Sequence, residues 1–118
     1  MDDLITALFD LRPEIRYVAL YRDGSLATRQ RPDLADASAA ESDRYEELLV
    51  NPALLTLARQ RGDIDVGGLD YLVVRYGAVF QLVMPIAGGH ASIAFDPRAN
   101  PIEHAQRIAD VLRGAGAS

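Results

Sequence analysis

Side chains that could act as nucleophiles, bases or metal ligands are few in this 118-residue chain. There is no Cys, which excludes thiolate nucleophiles and thiolate metal sites. All twelve basic residues are Arg, which excludes a Walker A lysine, a Schiff-base lysine and a Ser-Lys dyad. Any reaction would therefore depend on histidines, carboxylates and hydroxyl groups.

The two histidines are His90 and His104. His90 follows the Gly88-Gly89 pair, His104 falls in the first turn of a predicted helix, and neither belongs to an H-E-x-x-H motif. We interpret both as surface or structural histidines rather than as bases or metal ligands.

The acid pairs Asp2-Asp3 and Glu46-Glu47 fall near predicted helix starts, where carboxylates interact favourably with the helix dipole. We interpret them as exposed capping charges, not as a general acid/base dyad. Gly67-Gly68 precedes a predicted strand, so it lacks the helix start that a phosphate-binding loop needs.

We find no plausible pairing of a nucleophile with a base among four of the serines: Ser25, Ser38, Ser42 and Ser92. We therefore predict that the chain is not an enzyme and holds no cofactor or metal.

The length predicts one domain over residues 1–118. A net charge of −5 argues against nucleic-acid binding, and no apolar stretch approaches a membrane span. Because the chain starts Met1-Asp2-Asp3, without the positive charge of a secretory segment, we expect a cytoplasmic protein.

Periodicity predicts the elements of the first half. A short helix ends at Arg12-Pro13, with Asp2 or Asp3 as its cap. Strands follow at 16–22 and 25–31, joined by Asp23-Gly24, a type I′ hairpin signal.

Residues 33–40 read as a linker, and the middle helix is expected to start near Ser38 or Ser42, with Ser38 and Glu41 at capping-box spacing. Asn51-Pro52 should divide this helix, with Asn51 capping a second piece that runs to about Arg61.

Three strands are predicted next, at 69–76, 78–86 and 91–96, with turns at Gly77 and at Gly88-Gly89. Asn100-Pro101 should open the last helix, whose buried face is predicted from apolar spacing: Ile102, Ala105, Ile108, Ala109 and Leu112.

The segment order is thus α-β-β-α-β-β-β-α. Because the later strands are nearly continuous apolar runs, both faces of the sheet must be covered. We predict a three-layer α/β/α domain of the α+β class with a five-stranded, mostly antiparallel sheet, in which the first and last helices cover one face and the middle helix the other.

The two possible sheet edges differ in chemistry. Strand 25–31 carries Arg29 and Arg31 and ends at Pro32, features that discourage strand pairing. Strand 69–76 carries only Asp70 before Arg75, so as an edge it would be open to a partner strand. This contrast predicts self-association, unless another strand or a loop covers that edge.

Residues 16–25, an apolar strand followed by a D-G turn, resemble the first hairpin of the roadblock/LC7 family. Residues 80–83 and 94–100 resemble its last hairpin and the D-x-x-A-N start of its final helix, although Pro101-Ile102 stands where the family commonly has L-G. With the segment order, the resemblance covers about residues 4–113.

The resemblance implies a non-catalytic homodimer, or a heterodimer with a paralogue, that scaffolds or activates a small Ras-like GTPase. It also implies a dimer seam formed by the middle helix and the adjoining strand: Tyr45, Leu48, Leu49, Leu55, Leu69, Tyr71 and Val73. These residues would equally suit an intramolecular core. Arg44 and Arg59 are the candidate contacts to the GTPase, where an arginine could neutralise charge on a transferring phosphoryl group.

The alternative is a profilin-like or PAS-like sensor that binds a small molecule between sheet and helix. Gln81, Tyr71 and Tyr76 are its candidate polar groups. We find no cluster of polar residues in the sequence that would predict such a pocket.

Overall fold

The computed structural model describes residues 1–32 and 39–117. In chain order the elements are α1 (Asp2–Phe9), β1 (Ile15–Arg22), β2 (Ser25–Gln30), α2 (Ala40–Tyr45), a π-helical turn (Glu46–Val50), α3 (Asn51–Asp65), β3 (Leu72–Arg75), β4 (Phe80–Ile86), β5 (Gly89–Phe95), a 3₁₀ turn (Pro101–His104) and α4 (Ala105–Gly114). The predicted segment order is confirmed.

The five strands form one sheet in the order β2-β1-β5-β4-β3, and every neighbouring pair is antiparallel. The first and last strands of this order, β2 and β3, are the edges. The edge β3 is shorter than the predicted strand 69–76, since it spans Leu72 to Arg75. Before it, Gly68 donates a backbone hydrogen bond to Gly62 O in α3 at 2.9 Å.

Two hairpin turns lie side by side at one end of the sheet. Asp23 and Gly24 both have positive φ, 52° and 84°, as a type I′ turn requires, and Asp23 donates its backbone N–H to Gly88 O at 3.0 Å. Of the predicted Gly88-Gly89 pair, Gly88 alone has positive φ. Gly89 is required for a different reason: a Cβ there would lie 1.8 Å from Tyr21 O.

The main core lies between the sheet and the helices α1 and α4, as predicted. Alternate strand residues point to this α1/α4 face, and they include Val18, Leu82 and Ile93. They pack against Leu8 from α1 and Leu112 from α4, both almost fully buried. Burial of an aliphatic side chain of this size contributes about 1.5–3 kcal/mol, so this layer supplies most of the hydrophobic stabilisation.

The middle helix, residues 40–65, lies on the opposite face, and its backbone stays helical where a break was predicted. Asn51 is not a cap but has helical angles, φ −63° and ψ −43°, and donates its N–H to Glu46 O, five residues back. This wider turn accommodates Pro52, which has no N–H and would crowd the preceding turn of an ideal α-helix. The helix also continues to Asp65, past the predicted end at Arg61.

The predicted N-terminal cap of the first helix differs from the structure. Met1 precedes α1 with no side-chain cap bond, and Asp2 and Asp3 lie inside its first turn. Ser38, half of the predicted capping box, lies outside the described residues, and Ala39 precedes α2.

The final helix confirms one part of its prediction and corrects another. The Asn100 side chain accepts a hydrogen bond from Ile102 N at 3.1 Å, as an N-cap does. The first turn is 3₁₀ rather than α-helical, which rotates Ile102 outward to 58% exposure and buries Pro101 instead.

Candidate functional site

A cluster of polar side chains is buried between the middle helix and the sheet, where the sequence predicted none. Alternation along the strands brings Tyr17, Gln81, His90 and Ser92 to this middle-helix face. Glu47 and Asn51, four residues apart on the helix, point down onto them. All six side chains are less than a tenth exposed, and Glu47 is fully buried.

Glu47 is the centre of this polar cluster. Its Oε2 accepts a hydrogen bond from Tyr17 OH at 2.9 Å, and its Oε1 accepts one from Asn51 Nδ2 at 2.8 Å. His90 Nε2 also lies 2.8 Å from Oε1, in position to donate. Three donors therefore solvate a carboxylate that water does not reach, the condition for keeping a buried charge.

The cluster continues from Asn51 to β4. Asn51 Nδ2 lies 3.4 Å from Ser92 Oγ, which also accepts a hydrogen bond from Gln81 Nε2. Asn51 Oδ1 is buried and has no hydrogen-bond partner within residues 1–32 and 39–117.

Burial and the neighbouring carboxylates raise the pKa values of Tyr17, Tyr76 and Glu46. Burial, followed by the charge of Glu47, raises the pKa of Tyr17. Burial also raises the pKa of Glu46, which the hydroxyl of Tyr76 partly counteracts by donating at 2.9 Å to Oε1. Burial and the bond to Glu46 raise the pKa of Tyr76 to about 12.

The interpretation of Glu46-Glu47 as exposed capping charges is therefore wrong, because Glu47 is fully buried and Glu46 is half-buried and accepts a hydrogen bond from Tyr76 OH. His90 is buried, which makes it a structural histidine, one of the two alternatives that the sequence left open. Glu47 and Asn51 are four residues apart, a spacing that puts two side chains on one side of a helix, and that side faces the sheet. A sequence signal was present: His90 and Ser92 alternate on β5, which predicts one polar stripe on one sheet face.

This arrangement has the geometry of a structural network. The described contacts of Ser92 run to Asn51 and Gln81, not to His90, so they do not form a serine–histidine pair. Both Ser92 and His90 are also closed off from solvent. The cluster holds the middle helix on the sheet.

The outer side of the middle helix is unusually apolar. Tyr45 and Leu49 are 61% and 59% exposed, and Leu57 and Ile64 are 66% and 74% exposed. Val66, directly after α3, is also exposed. We call these five residues the outer apolar surface. Several large apolar side chains exposed on one element make it a candidate interaction site.

The predicted seam residues do not all lie on this surface. Tyr45 and Leu49 do, Leu48 is half-buried and Leu55 is buried beneath the helix. Tyr71 and Val73 pack against the α1/α4 core. The register with β4 places Leu72 and Val74 on the middle-helix face instead.

The two candidate partner arginines are accessible. Arg44 lies in the last turn of α2 and Arg59 lies in α3, and both are exposed. Neither forms an ion pair with a residue of the described part of the chain.

An open groove of about 1090 Å³ lies at the opposite end of the sheet from the two hairpin turns. Four of its charged side chains form two ion pairs: Arg12 with Glu14 at 2.8 Å and Arg98 with Asp96 at 2.9 Å. The bonds from Arg98 hold the pKa of Asp96 at about 2.

Residues 1–32 and 39–117 contain no group of three or more His, Cys, Asp or Glu side chains arranged to hold a metal ion. None of the helices described above is both long enough and apolar enough to cross a membrane.

Comparison with known proteins shows which known fold this architecture matches. No protein-family model matches the sequence, and no curated protein matches it. Among solved structures, the chain is similar to a roadblock/LC7 domain from Streptomyces avermitilis, with a TM-score of 0.75 and 17% sequence identity over 98% of this chain and 93% of that one. Together with the five-stranded antiparallel sheet and its helical layers, this likeness confirms the fold implied by the sequence resemblance: the chain has the roadblock/LC7 fold.

Proposed function

We propose that this protein is a non-catalytic interaction module that works as a two-fold dimer and scaffolds or regulates a small Ras-like GTPase. One observation carries the proposal: the edge strand β3 is unpaired on one side, and the middle helix, which covers one face of the same sheet, exposes apolar side chains on its outer side. The fold likeness supports it, since roadblock/LC7 proteins are interaction domains by the resemblance described above.

The edge strand β3 supports the dimer. It pairs with β4 on one side, and no described strand pairs with the other. Its sequence, Leu72-Val-Val-Arg75, has no Pro and no inward charge to discourage pairing. A second β3 running antiparallel to the first would satisfy both sets of backbone groups by a two-fold operation.

The other edge does not offer this. Arg29 on β2 donates to Asp2 O at 3.1 Å and to Thr6 Oγ1 at 2.9 Å, and its guanidinium lies 5.5 Å from the Phe9 ring centre. Arg31 donates to the carbonyls of Phe9 and Arg12 at 3.0 and 2.9 Å. These side chains tie the β2 edge to α1.

The test of the dimer compares two apolar residues of equal exposure. Leu49, at 59%, belongs to the outer apolar surface, whereas Ile102, at 58%, lies on the other side of the sheet. We expect light scattering to give about twice the 12.9 kDa monomer mass. Leu49→Glu should give a folded monomer, because it would place a charge in the interface, whereas Ile102→Glu should stay dimeric. A monomeric wild type at micromolar concentration contradicts the proposal.

The GTPase part rests on the fold likeness and on the accessible arginines. We expect the protein by itself not to hydrolyse GTP. When it is mixed with small GTPases of the same genome, we expect it to change a GTPase's affinity for nucleotide or its rate of GTP turnover. Arg44→Ala or Arg59→Ala should remove an increase in turnover, whereas Arg107→Ala, an exposed arginine on α4, should not. If no GTPase binds in either nucleotide state, this part of the proposal is wrong.

A further inference from the structure

A cleft of about 330 Å³ lies on the α1/α4 face, between α4 and the segment 69–71 that leads into β3. It is separated by the sheet from the polar cluster and from the outer apolar surface. Its volume is at the lower end of the range for small-ligand sites, about 300–1,000 Å³.

The floor of this cleft is apolar, and its walls combine apolar side chains with the polar ones of Asp70, Gln106 and Arg113. Met84 and Ile86 from β4 and Leu112 from α4 form the floor and are each less than a tenth exposed. Leu69 and Tyr71 form one wall and are half-buried, and Ala105 and Ala109 leave space along α4. These residues can surround an aliphatic or aromatic group of a few carbon atoms.

Two residues of opposite charge, Asp70 and Arg113, line the cleft and do not pair with each other. Asp70 is exposed and has neither an ion pair nor a hydrogen bond with any residue of the described ranges. Arg113 makes one bond, from NH1 to Asp110 Oδ1 at 3.1 Å, in an exposed pair. A guanidinium has five N–H donors, so Arg113 retains donors for a further acceptor.

We propose that this cleft binds a small zwitterion with an apolar body, of the class of aliphatic or aromatic α-amino acids. The ligand ammonium pairs with Asp70, its carboxylate pairs with Arg113, and its side chain lies on Leu112 and Tyr71. A ligand with one charge leaves the opposite rim group without a partner, so both charges contribute to selection. Because both pairs are exposed to solvent, the affinity is weak, with a Kd of about a millimolar.

The first experiment measures binding to the full chain by NMR titration and thermal shift. L-leucine is the test ligand, and 4-methylpentanoate and 3-methylbutylamine are analogues that lack its ammonium and its carboxylate, respectively. We expect saturable binding of leucine with shifts confined to residues around Tyr71, Ala109 and Leu112, and binding up to about fivefold weaker for each analogue. No saturable shift with leucine, or equal binding of all three compounds, overturns the proposal.

Variants assign the two charges. Asp70→Asn should weaken leucine and the amine but not the carboxylate analogue, and Arg113→Gln should show the reverse preference. Asp63→Asn and Arg59→Gln, exposed on the middle helix across the sheet, are the matched controls and should bind leucine like the wild type.

A further variant tests the cleft itself. Ala109→Phe fills it from the half-exposed side of α4 and should abolish leucine binding while circular dichroism stays unchanged. Leucine binding that survives this substitution shows that the ligand binds elsewhere. The experiment is independent of the proposed dimer, because Leu49→Glu should bind leucine as the wild type does.

Discussion

At the scale of single residues, Glu47 is the most unusual side chain. A carboxylate with no solvent exposure is tolerated because Tyr17, Asn51 and His90 all point donors at it. The sequence placed Glu47 in an exposed acidic pair near a helix start, because residue types do not show which side of the helix meets the sheet. Residue-level chemistry was therefore the least predictable part of this protein.

Glu47→Ala should destabilise the protein by about 3–5 kcal/mol, because it leaves buried donors without an acceptor. Glu47→Gln keeps an oxygen at this position and should cost less. Urea unfolding measures both, with Glu41→Ala on exposed α2 as the control. A loss below about 1 kcal/mol for Glu47→Ala, the range of surface substitutions, would show that the network is dispensable.

Tyr17 predicts an alkaline limit to stability. Its pKa is raised in the folded state, so the folded protein resists ionisation of the phenol. Its contribution is complete below the ordinary tyrosine pKa of 10.0 and is lost as the pH rises above it. Tyr17→Phe should flatten the fall in unfolding free energy above about pH 10, whereas Tyr45→Phe on the exposed helix side should leave it unchanged. Identical profiles for Tyr17→Phe and the wild type would refute this linkage.

At the scale of elements, order and type could be predicted but bounds and orientation could not. The D-G turn and the Asn100 cap followed from local chemistry, and the two strands named as possible edges do lie at the edges of the sheet. The unbroken middle helix did not, because tertiary contacts of Glu47 and Asn51 override the proline signal. Ile102 faces outward because one turn is 3₁₀, which apolar spacing alone does not distinguish from α.

Glu46 connects two elements, the middle helix and the β3–β4 turn, through Tyr76. Its raised pKa means that the folded state holds the proton more tightly than the unfolded state. The contribution is complete below the ordinary Glu value of 4.5 and is lost as the pH rises through the folded pKa. Relative to the wild type, Glu46→Gln should gain stability between about pH 4.5 and neutrality. Glu41→Gln is the control in pH-dependent urea unfolding, and an equal gain there would remove the explanation.

At the scale of the whole molecule, the two sheet faces differ in kind. The α1/α4 face is a continuous apolar core, whereas the middle-helix face is polar at its centre and apolar on its outside. The sequence predicted the layers because the strands are apolar on both sides. It could not predict that the middle helix turns polar side chains toward the sheet and apolar side chains toward solvent. Sequence periodicity shows which residues share a side of a helix, not which side meets the sheet.

Dimerisation should therefore be visible in amide hydrogen exchange. In a dimer through β3, protection of Leu72 to Arg75 and of the middle helix should increase with protein concentration, while β1 and β5 stay protected throughout. Leu49→Glu should lose the concentration dependence. If β3 exchanges at one rate at all concentrations, the edge does not take part in assembly.

The close approach of Gly89 to Tyr21 O constrains how far this sequence can drift. Since a Cβ there would overlap a backbone carbonyl, no substitution at Gly89 should be recovered from a mutational library that is selected for folded protein. Gly77, with open space around it and no positive φ, should accept most of them. Chains that share this junction of hairpins can thus diverge at almost every surface position while one small residue stays fixed.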